Sequence, residues 1–290
     1  MPKEITIITG ATASGKSQCA IDFALENNAS IISCDSIQVY KYMDIGSAKL
    51  TKDEMQGVKH YLIDIAEPSK SFDVFSYIEE VKLAIEDITA SGKNIVVAGG
   101  SPFYLQSFFS AITDDIKVSE TTRNYVKNLE EDGGKIALQE KLLSLDSNAS
   151  KFVDMANPRR LTRAIERVME SGLGVEEILE NFKKMPCPYG DIKRNVIFLN
   201  RPKDEMQERI EKRTQLMLNA GLIKECENLL KLDIKTNPSA YLSTGYIECF
   251  RAIESGNIDE AKLAQEISQN TLKLVKKQGK FFRNTLKLNA

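Results

Sequence analysis

The stretch Ile5-Thr6-Ile7-Ile8-Thr9-Gly10-Ala11-Thr12-Ala13-Ser14-Gly15-Lys16-Ser17 decides the fold. Ile5 to Thr9 is apolar and β-branched and stops at a glycine, the pattern of a buried strand. Gly10 to Ser17 then fits G-x-x-x-x-G-K-[ST] in full. In that spacing the glycines let the backbone curl until successive N–H groups face phosphate oxygens. Lys16 supplies a point charge between phosphates, and the Ser17 hydroxyl is placed to ligate Mg²⁺. From Lys16 onward Cys19, Ala20, Phe23 and Ala24 recur at helical spacing, so a helix N-terminus adds its dipole to the anion site. Gly10, Ala11, Thr12, Ala13, Ser14, Gly15, Lys16 and Ser17 are therefore read as a polyphosphate-binding loop of the P-loop, nucleotide-binding kind.

Working outward, Ala29 to Cys34 forms a second apolar strand, and Phe75 to Thr89 carries the periodicity of an amphipathic helix. Gly92 ends that helix, and Asn94 to Ala98 is another buried strand before Gly99-Gly100. Strands alternating with helices predict a parallel sheet covered on both faces. The alternation stops from about Asp114 to Pro188, where helical periods dominate: Tyr125 to Leu129, Ile136 to Leu145 and Pro158 to Ser171. Arg194 to Leu199 resumes the strand pattern, and helices run from Lys203 onward. The expected fold class is α/β: a P-loop parallel sheet with helices on both faces and an inserted, mainly helical domain. The core domain is expected over 1–113 plus 192–290 and the insertion over 114–191.

The chain has 290 residues, 42% hydrophobic and 28% charged, an ordinary globular mixture that excludes disorder, collagen and coiled coil. No apolar run approaches the ~18 residues of a membrane helix. Met1-Pro2-Lys3-Glu4 leads into an apolar segment too short for a secretory h-region, and five scattered cysteines without a C-x-x-C pair suit reduced thiols. A cytoplasmic location is expected. The single histidine, His60, leaves little room for a His-based zinc site or a Ser-His-Asp triad. A net charge of −2 argues against a protein basic all over. Yet no acidic residue follows Glu266, while Lys273, Lys276, Lys277, Lys280, Arg283 and Lys287 do. An isolated run of this kind reads as a solvated helix end.

Beside the loop, the strand ending at Cys34 delivers Asp35, then Ser36-Ile37-Gln38. At the carboxyl end of a neighbouring parallel strand this carboxylate can be a Mg²⁺ ligand, a general base or the cap of the next segment. Spacing alone favours the cap. Gly99-Gly100-Ser101-Pro102 brings a hydroxyl to the same pole.

The wording around these residues resembles the tRNA dimethylallyltransferases (tRNA isopentenyltransferases), collinearly over nearly the whole chain. The family's G-x-T-A-S-G-K-[ST] stands at Gly10 to Ser17, I-I-S-x-D-S-x-Q-V-Y at Ile31 to Tyr40, and M-D-I-G-[TS]-A-K at Met43 to Lys49. H-x-L-I-D is His60 to Asp64, and G-G-[TS] is Gly99 to Ser101, followed by Tyr104. P-x-R-L-x-R-A-[LI]-E is Pro158 to Glu166, R-I-x-x-R-x-x-x-M is Arg209 to Met217, and G-L-x-x-E is Gly221 to Glu225. G-Y-x-E is Gly245 to Glu248, and the basic K-[RK]-Q-x-x-[WF]-[FL]-R is Lys276 to Arg283.

The resemblance implies transfer of a dimethylallyl group from dimethylallyl diphosphate to N6 of the adenosine just 3′ of a tRNA anticodon, with Mg²⁺ as cofactor and no membrane partner. A monomer is expected. Diphosphate is the leaving group, so the phosphate loop, Lys16 and Mg²⁺ held through Ser17 would stabilise it as the C–O bond breaks. Arg213 matches the family's second cationic clamp, Asp35 its catalytic aspartate, and Ser101 a hydroxyl near the scissile oxygen or the metal. The adenine must leave its stack, and Asp35, Ser36, Ile37 and Gln38 match the segment that contacts it. Arg123 and the run Arg159, Arg160, Leu161, Thr162 and Arg163 match positions that grip tRNA, joined by Lys276 to Arg283. His60 reads as structural.

Three departures stand out. Pro102 replaces the usual Gly after G-G-[TS], and its missing N–H and fixed φ predict a displaced Ser101 loop. Phe281-Phe282 replaces a Trp-containing pair. Leu272-Lys273 stands where the family has Arg-Gln, weakening that RNA-facing segment. The main rival is a P-loop small-molecule kinase, which leaves Asp35-Ser-x-Gln-Val-Tyr and the basic C-terminal run unexplained. Prenylation of a free adenine nucleotide would need no stem grip. A tRNA-binding module with a dead phosphate loop conflicts with an intact Lys16, Ser17 and Asp35.

Overall fold

Every residue of β1 (Glu4–Gly10) after Glu4 is buried, which follows from its place inside a parallel sheet with cover on both faces. The computed structural model describes Pro2, residues 4–112 and residues 114–288. It divides into two units, Met1–Phe109 with Pro188–Ala290, and Ser110–Cys187. The boundary expected at residue 113 lies outside the described residues.

In the first unit α1 (Lys16–Glu26) and β2 (Ala29–Cys34) follow the phosphate loop, then β3 (His60–Tyr61), α2 (Val74–Ala90), β4 (Asn94–Gly99) and α3 (Pro102–Gln106). The chain returns from the second unit as β5 (Lys193–Leu199). All pairings are parallel, in the order β3-β2-β4-β1-β5. Gly10 lies opposite Leu199, and Cys34 opposite Gly99. The register therefore brings the carboxyl ends of β1, β2 and β4 together, so the loops after them share one pole of the sheet. β3 escapes any reading by periodicity because it has two residues.

α1 buries Ala20, Ile21 and Ala24 against Ile8, Ile31 and Val96 of the sheet. α2 buries an i, i+3, i+4 stripe, Tyr77, Ile78, Val81, Ala84, Ile85 and Ile88, and starts at Asp73, whose side chain accepts the Ser76 N–H at 2.9 Å. The second unit contains α4 (Glu120–Leu145), α5 (Pro158–Ser171) and α6 (Val175–Lys184) around Val126, Leu138, Leu142, Leu161, Ile165 and Ile178. The two helical periods read as separate over 125–145 form one element, interrupted at Gly134 (φ 59, ψ −151).

After β5 the first unit continues through α7 (Lys203–Asn219), α8 (Leu222–Leu230), α9 (Pro238–Tyr241), α10 (Tyr246–Ser255) and α11 (Glu260–Asn284). α7, α8, α10 and α11 contribute to a second core with Val39, Tyr40 and Met43 from the loop after β2. That packing carries α7 and α11 to the phosphate pole.

Candidate active site

The phosphate loop needs close backbone approaches that only glycine permits. A Cβ on Gly99 would collide with the Cys34 carbonyl, and one on Gly100 would lie 2.7 Å from the Gly10 carbonyl oxygen. Gly15 takes φ 93 at the entry to α1. Side chains from the C-terminal helices hold the loop from outside. Arg209 Nε donates to the Ala13 carbonyl at 2.7 Å and Arg201 Nε to the Ser14 carbonyl at 3.2 Å; Arg201 also pairs with Glu205 at 3.1 Å. Gln278 of α11 accepts the Thr12 N–H at 2.9 Å and donates to the Gly100 carbonyl at 3.1 Å.

Lys16 is half-buried and donates to the Ala11 carbonyl at 3.2 Å. Burial lowers its pKa to about 8, opposed by the Asp35 carboxylate and reinforced by Arg213. Burial also lowers the pKa of Arg213, again opposed by Asp35. Two cations thus share one carboxylate in a poorly solvated site, an arrangement short of negative charge and suited to an anionic ligand.

Asp35 Oδ1 accepts the backbone N–H groups of Ile37 at 2.9 Å and Gln38 at 3.3 Å. The capping role suggested by spacing is therefore real, and it is compatible with proton transfer because a carboxylate keeps further lone pairs on Oδ2. Ser101 Oγ accepts the Ser36 N–H at 2.8 Å and lies 3.2 Å from Ser36 Oγ. The displacement expected from Pro102 does not occur. Pro102 opens α3, where a missing N–H costs nothing and φ is already helical, and Ser101 remains bonded to the Asp35 turn.

Two cavities meet at Asp35. A small one is bounded by Lys16, Ser17, Ser33, Gln38 and Gly99. The other, about 300 Å³, runs from Thr12, Asp35 and Arg213 to the apolar side chains of Ile37, Met217, Ile267 and Leu274. Its wall at residues 44–47 is fixed by Glu225, which accepts the N–H groups of Asp44, Ile45 and Gly46 at 3.0, 2.7 and 3.1 Å and the Tyr246 hydroxyl at 2.8 Å. Among the described residues no group of three His, Cys, Asp or Glu could hold a metal. The donors present, the Ser17 hydroxyl and the Asp35 carboxylate on one cavity, suit Mg²⁺, which takes most of its ligands from water and substrate phosphates.

Sequence reasoning placed Lys16, Ser17, Asp35, Ser101 and Arg213 at this pole but missed Arg201, Arg209 and Gln278. Arg209 opens the motif that ends on Met217, yet an arginine on an amphipathic helix reads as surface charge. Gln278 sits inside a basic run and gives no local signal of facing inward.

Within the helical unit, Arg123, Arg159, Thr162 and Arg163 line one groove together with Lys127 and Glu130. Arg160 pairs with Asp154 at 3.5 Å and Arg163 with Glu166 at 3.1 Å, while Thr162 Oγ1 bonds Glu130 at 3.3 Å. Leu161 corrects the sequence reading: it is fully buried among Val126, Leu138 and Ile165, so its side chain serves the core and cannot touch RNA. It holds the helix whose outer face carries the arginines.

Residues 38–285 match the family model described as IPP transferase. The chain belongs to the IPP transferase family. Among its relatives, the tRNA dimethylallyltransferase of Opitutus terrae is 38% identical over 282 residues, covering 97% of this chain and 90% of that protein. The crystal structure of the tRNA delta(2)-isopentenylpyrophosphate transferase of Staphylococcus epidermidis covers 100% of this chain and 92% of its own at 31% identity, with a TM-score of 0.68. A eukaryotic dimethylallyltransferase acting on tRNA superposes with a TM-score of 0.84 over 98% of this chain and 71% of its own; at 23% identity it speaks to the fold alone. The α/β fold with its parallel sheet is thus that of the family.

Proposed function

We propose that this protein transfers the dimethylallyl group of dimethylallyl diphosphate to N6 of the adenosine on the 3′ side of a tRNA anticodon, releasing diphosphate. The observation that carries the reading is the pairing of an anion cradle with a carboxylate: Lys16 and Arg213 both act electrostatically on Asp35 at the mouth of the phosphate loop. The allylic C–O bond breaks and its electron pair leaves with the diphosphate, which Lys16, Arg213 and the loop N–H groups stabilise. The N6 lone pair forms the new C–N bond, and Asp35 takes the N6 proton, because an exocyclic amine is a poor nucleophile until it loses one. Ser101 holds the Asp35 turn and presents its hydroxyl to the same pole. Bound through Ser17 and the diphosphate oxygens, Mg²⁺ would neutralise charge on the leaving group.

The adenine must be unstacked to reach Asp35, and Ser36, Ile37 and Gln38 line the cavities it would enter. Arg123, Arg159, Arg160, Thr162 and Arg163 of the helical insertion would hold the anticodon stem by its phosphates. No helix among the described residues is long and apolar enough to cross a membrane, and we place the enzyme in the cytoplasm as a monomer.

The test is a transfer assay with dimethylallyl diphosphate, Mg²⁺ and a tRNA carrying adenosine beside the anticodon, ATP omitted. Prenylated tRNA from the wild type, with loss on Asp35→Ala, is the expected result. Transfer that survives Asp35→Ala removes the base. Activity that waits for ATP and a small alcohol makes the protein a kinase.

A further inference from the structure

α11 carries exposed Lys273, Lys276, Lys277, Lys280 and Arg283, yet Gln278 in their midst is buried, at 6% exposure. Burying a rotamer-rich polar side chain is costly unless its hydrogen bonds are made. Both ends of this amide are satisfied, and both by the active-site backbone. Oε1 accepts the Thr12 N–H of the phosphate loop at 2.9 Å, and Nε2 donates to the Gly100 carbonyl at 3.1 Å. Gly100 is followed by Ser101, which accepts the Ser36 N–H at 2.8 Å, and Ser36 follows Asp35. A single side chain therefore joins the loop that cradles the leaving group to the turn that carries the base.

We infer that Gln278 is a positioning residue that sets the shape of the phosphate loop before diphosphate arrives and fixes its spacing from the Asp35 turn. The inference rests on the reading of this loop as a diphosphate site. Three features support it. The Thr12 N–H points to the amide oxygen, so Gln278 determines which loop N–H groups remain for phosphate. A Cβ on Gly100 would lie 3.3 Å from Gln278 Nε2 and 3.7 Å from Lys16 Cε, so the amide is wedged where the loop, Lys16 and the β4 end converge. α11 also runs between two cavities, one reaching Thr12 and lined by Thr271 and Leu274, the other reaching Ala11 and lined by Val275 and Lys276. The loop holds its form with the amide in place. Without it, the ligand must bear the ordering cost when it binds.

Gln278→Met keeps the length of the side chain and removes both hydrogen bonds. Gln278→Glu keeps an acceptor for Thr12, turns an acceptor toward the Gly100 carbonyl, and puts a negative charge beside the anion site. Inorganic diphosphate with Mg²⁺ is the probe, titrated into wild type, Gln278→Met, Gln278→Glu and Lys16→Met by calorimetry, with thermal melts of each. Binding by the wild type and its loss in Lys16→Met would uphold the site itself. Gln278→Met is then expected to weaken diphosphate about five- to tenfold, the worth of a net hydrogen bond or two, and Gln278→Glu to weaken it further. In the transfer assay KM for the prenyl donor should rise in both variants while KM for tRNA stays put, a split that general loosening of α11 would not produce. Equal diphosphate affinity in wild type and both variants would reduce Gln278 to packing. Equal rises in both KM values would do the same. A wild type that binds no diphosphate would overturn the site and the inference together.

Discussion

The phosphate loop and the arginine face of α5 are both short polar runs, and they are held in opposite ways. Around the loop, backbone carbonyls and N–H groups are taken by side chains that come from nearly two hundred or more residues further along: Arg201, Arg209 and Gln278. Lys16 and Arg213 are kept in a poorly solvated place where burial works against their charge. On α5, Arg159, Arg160 and Arg163 are exposed, and the ion pair of Arg160 with Asp154, at 3.5 Å, joins two solvated side chains. Such pairs are worth little. One region is preorganised at a cost to the fold, and the other keeps its charges free at almost none. Chemistry needs the first arrangement, since donors must already be aimed where charge develops. Gripping a phosphate backbone needs only the second.

The sharpest way to break this comparison is Asp35→Asn. An asparagine oxygen can still accept the Ile37 and Gln38 N–H groups, so the turn and the melting temperature should survive. The amide cannot take a proton, and transfer should fall by about 10²- to 10⁴-fold, the usual share of a general base. Asp35→Ala removes the turn acceptor as well and should cost about 1 kcal/mol of stability on top. If Asp35→Asn retains near wild-type turnover in the transfer assay, the carboxylate is a cap alone.

Lys16→Met tests the claim that the loop is held at a cost. The folded pKa, about 8, lies below the value near 10.4 of an unfolded lysine. Between the two the unfolded chain binds the proton more readily, so wild-type stability rises with pH across that window. The penalty is fully present below about pH 8 and gone above about pH 10.5. Lys16→Met should therefore abolish diphosphate binding yet stabilise the unliganded protein at pH 7 by about 1–3 kcal/mol, an advantage that fades toward pH 10. Chemical denaturation at pH 7 and pH 10 reads both numbers. Wild-type diphosphate affinity should weaken as pH rises through about 8, because the protonated amine is the binding form. A variant less stable than the wild type at pH 7 would mean that Lys16 supports the fold.

Most of the sheet could be read from the chain because its strands are continuous apolar runs stopped by glycine, and Lys16 follows one of them directly. Asp35 and Ser101 were legible for the same reason: each follows a strand end, and parallel strand ends cluster. Gln278, Arg201 and Arg209 were not, because what makes them part of the site is the packing of α7 and α11 onto the loop after β2. That packing joins residues nearly two hundred or more positions apart, and no local pattern encodes it. Leu161 failed in the opposite direction. It was carried along with the arginines beside it, although at one residue's remove a helix turns by about 100°, enough to place a neighbour in the core. Pro102 misled because proline reads as a disruption when its position in a helix is unknown, and at the first helical position it disrupts nothing.

The smallest expected effect concerns the other side of the comparison. Arg159→Ala, Arg160→Ala and Arg163→Ala each remove an exposed charge whose partners are surface carboxylates, so each should change stability by no more than about 0.5 kcal/mol. Their cost should appear only when RNA is present, and only as electrostatics. Removing one arginine from a phosphate should lower the slope of log affinity against log salt by about 1, with the weakening shared by every tRNA that fits the groove, since phosphates carry no sequence. The contrast with Leu161→Ala separates the two roles on one helix. Truncating that buried side chain should cost about 2–5 kcal/mol in the unfolding of the helical unit and leave the salt slope of the folded protein unchanged. A salt slope that ignores all three arginines would move the RNA grip elsewhere. A large stability loss on removing any of them would show that this face, too, is held at a cost, and the division drawn between the two regions would fail.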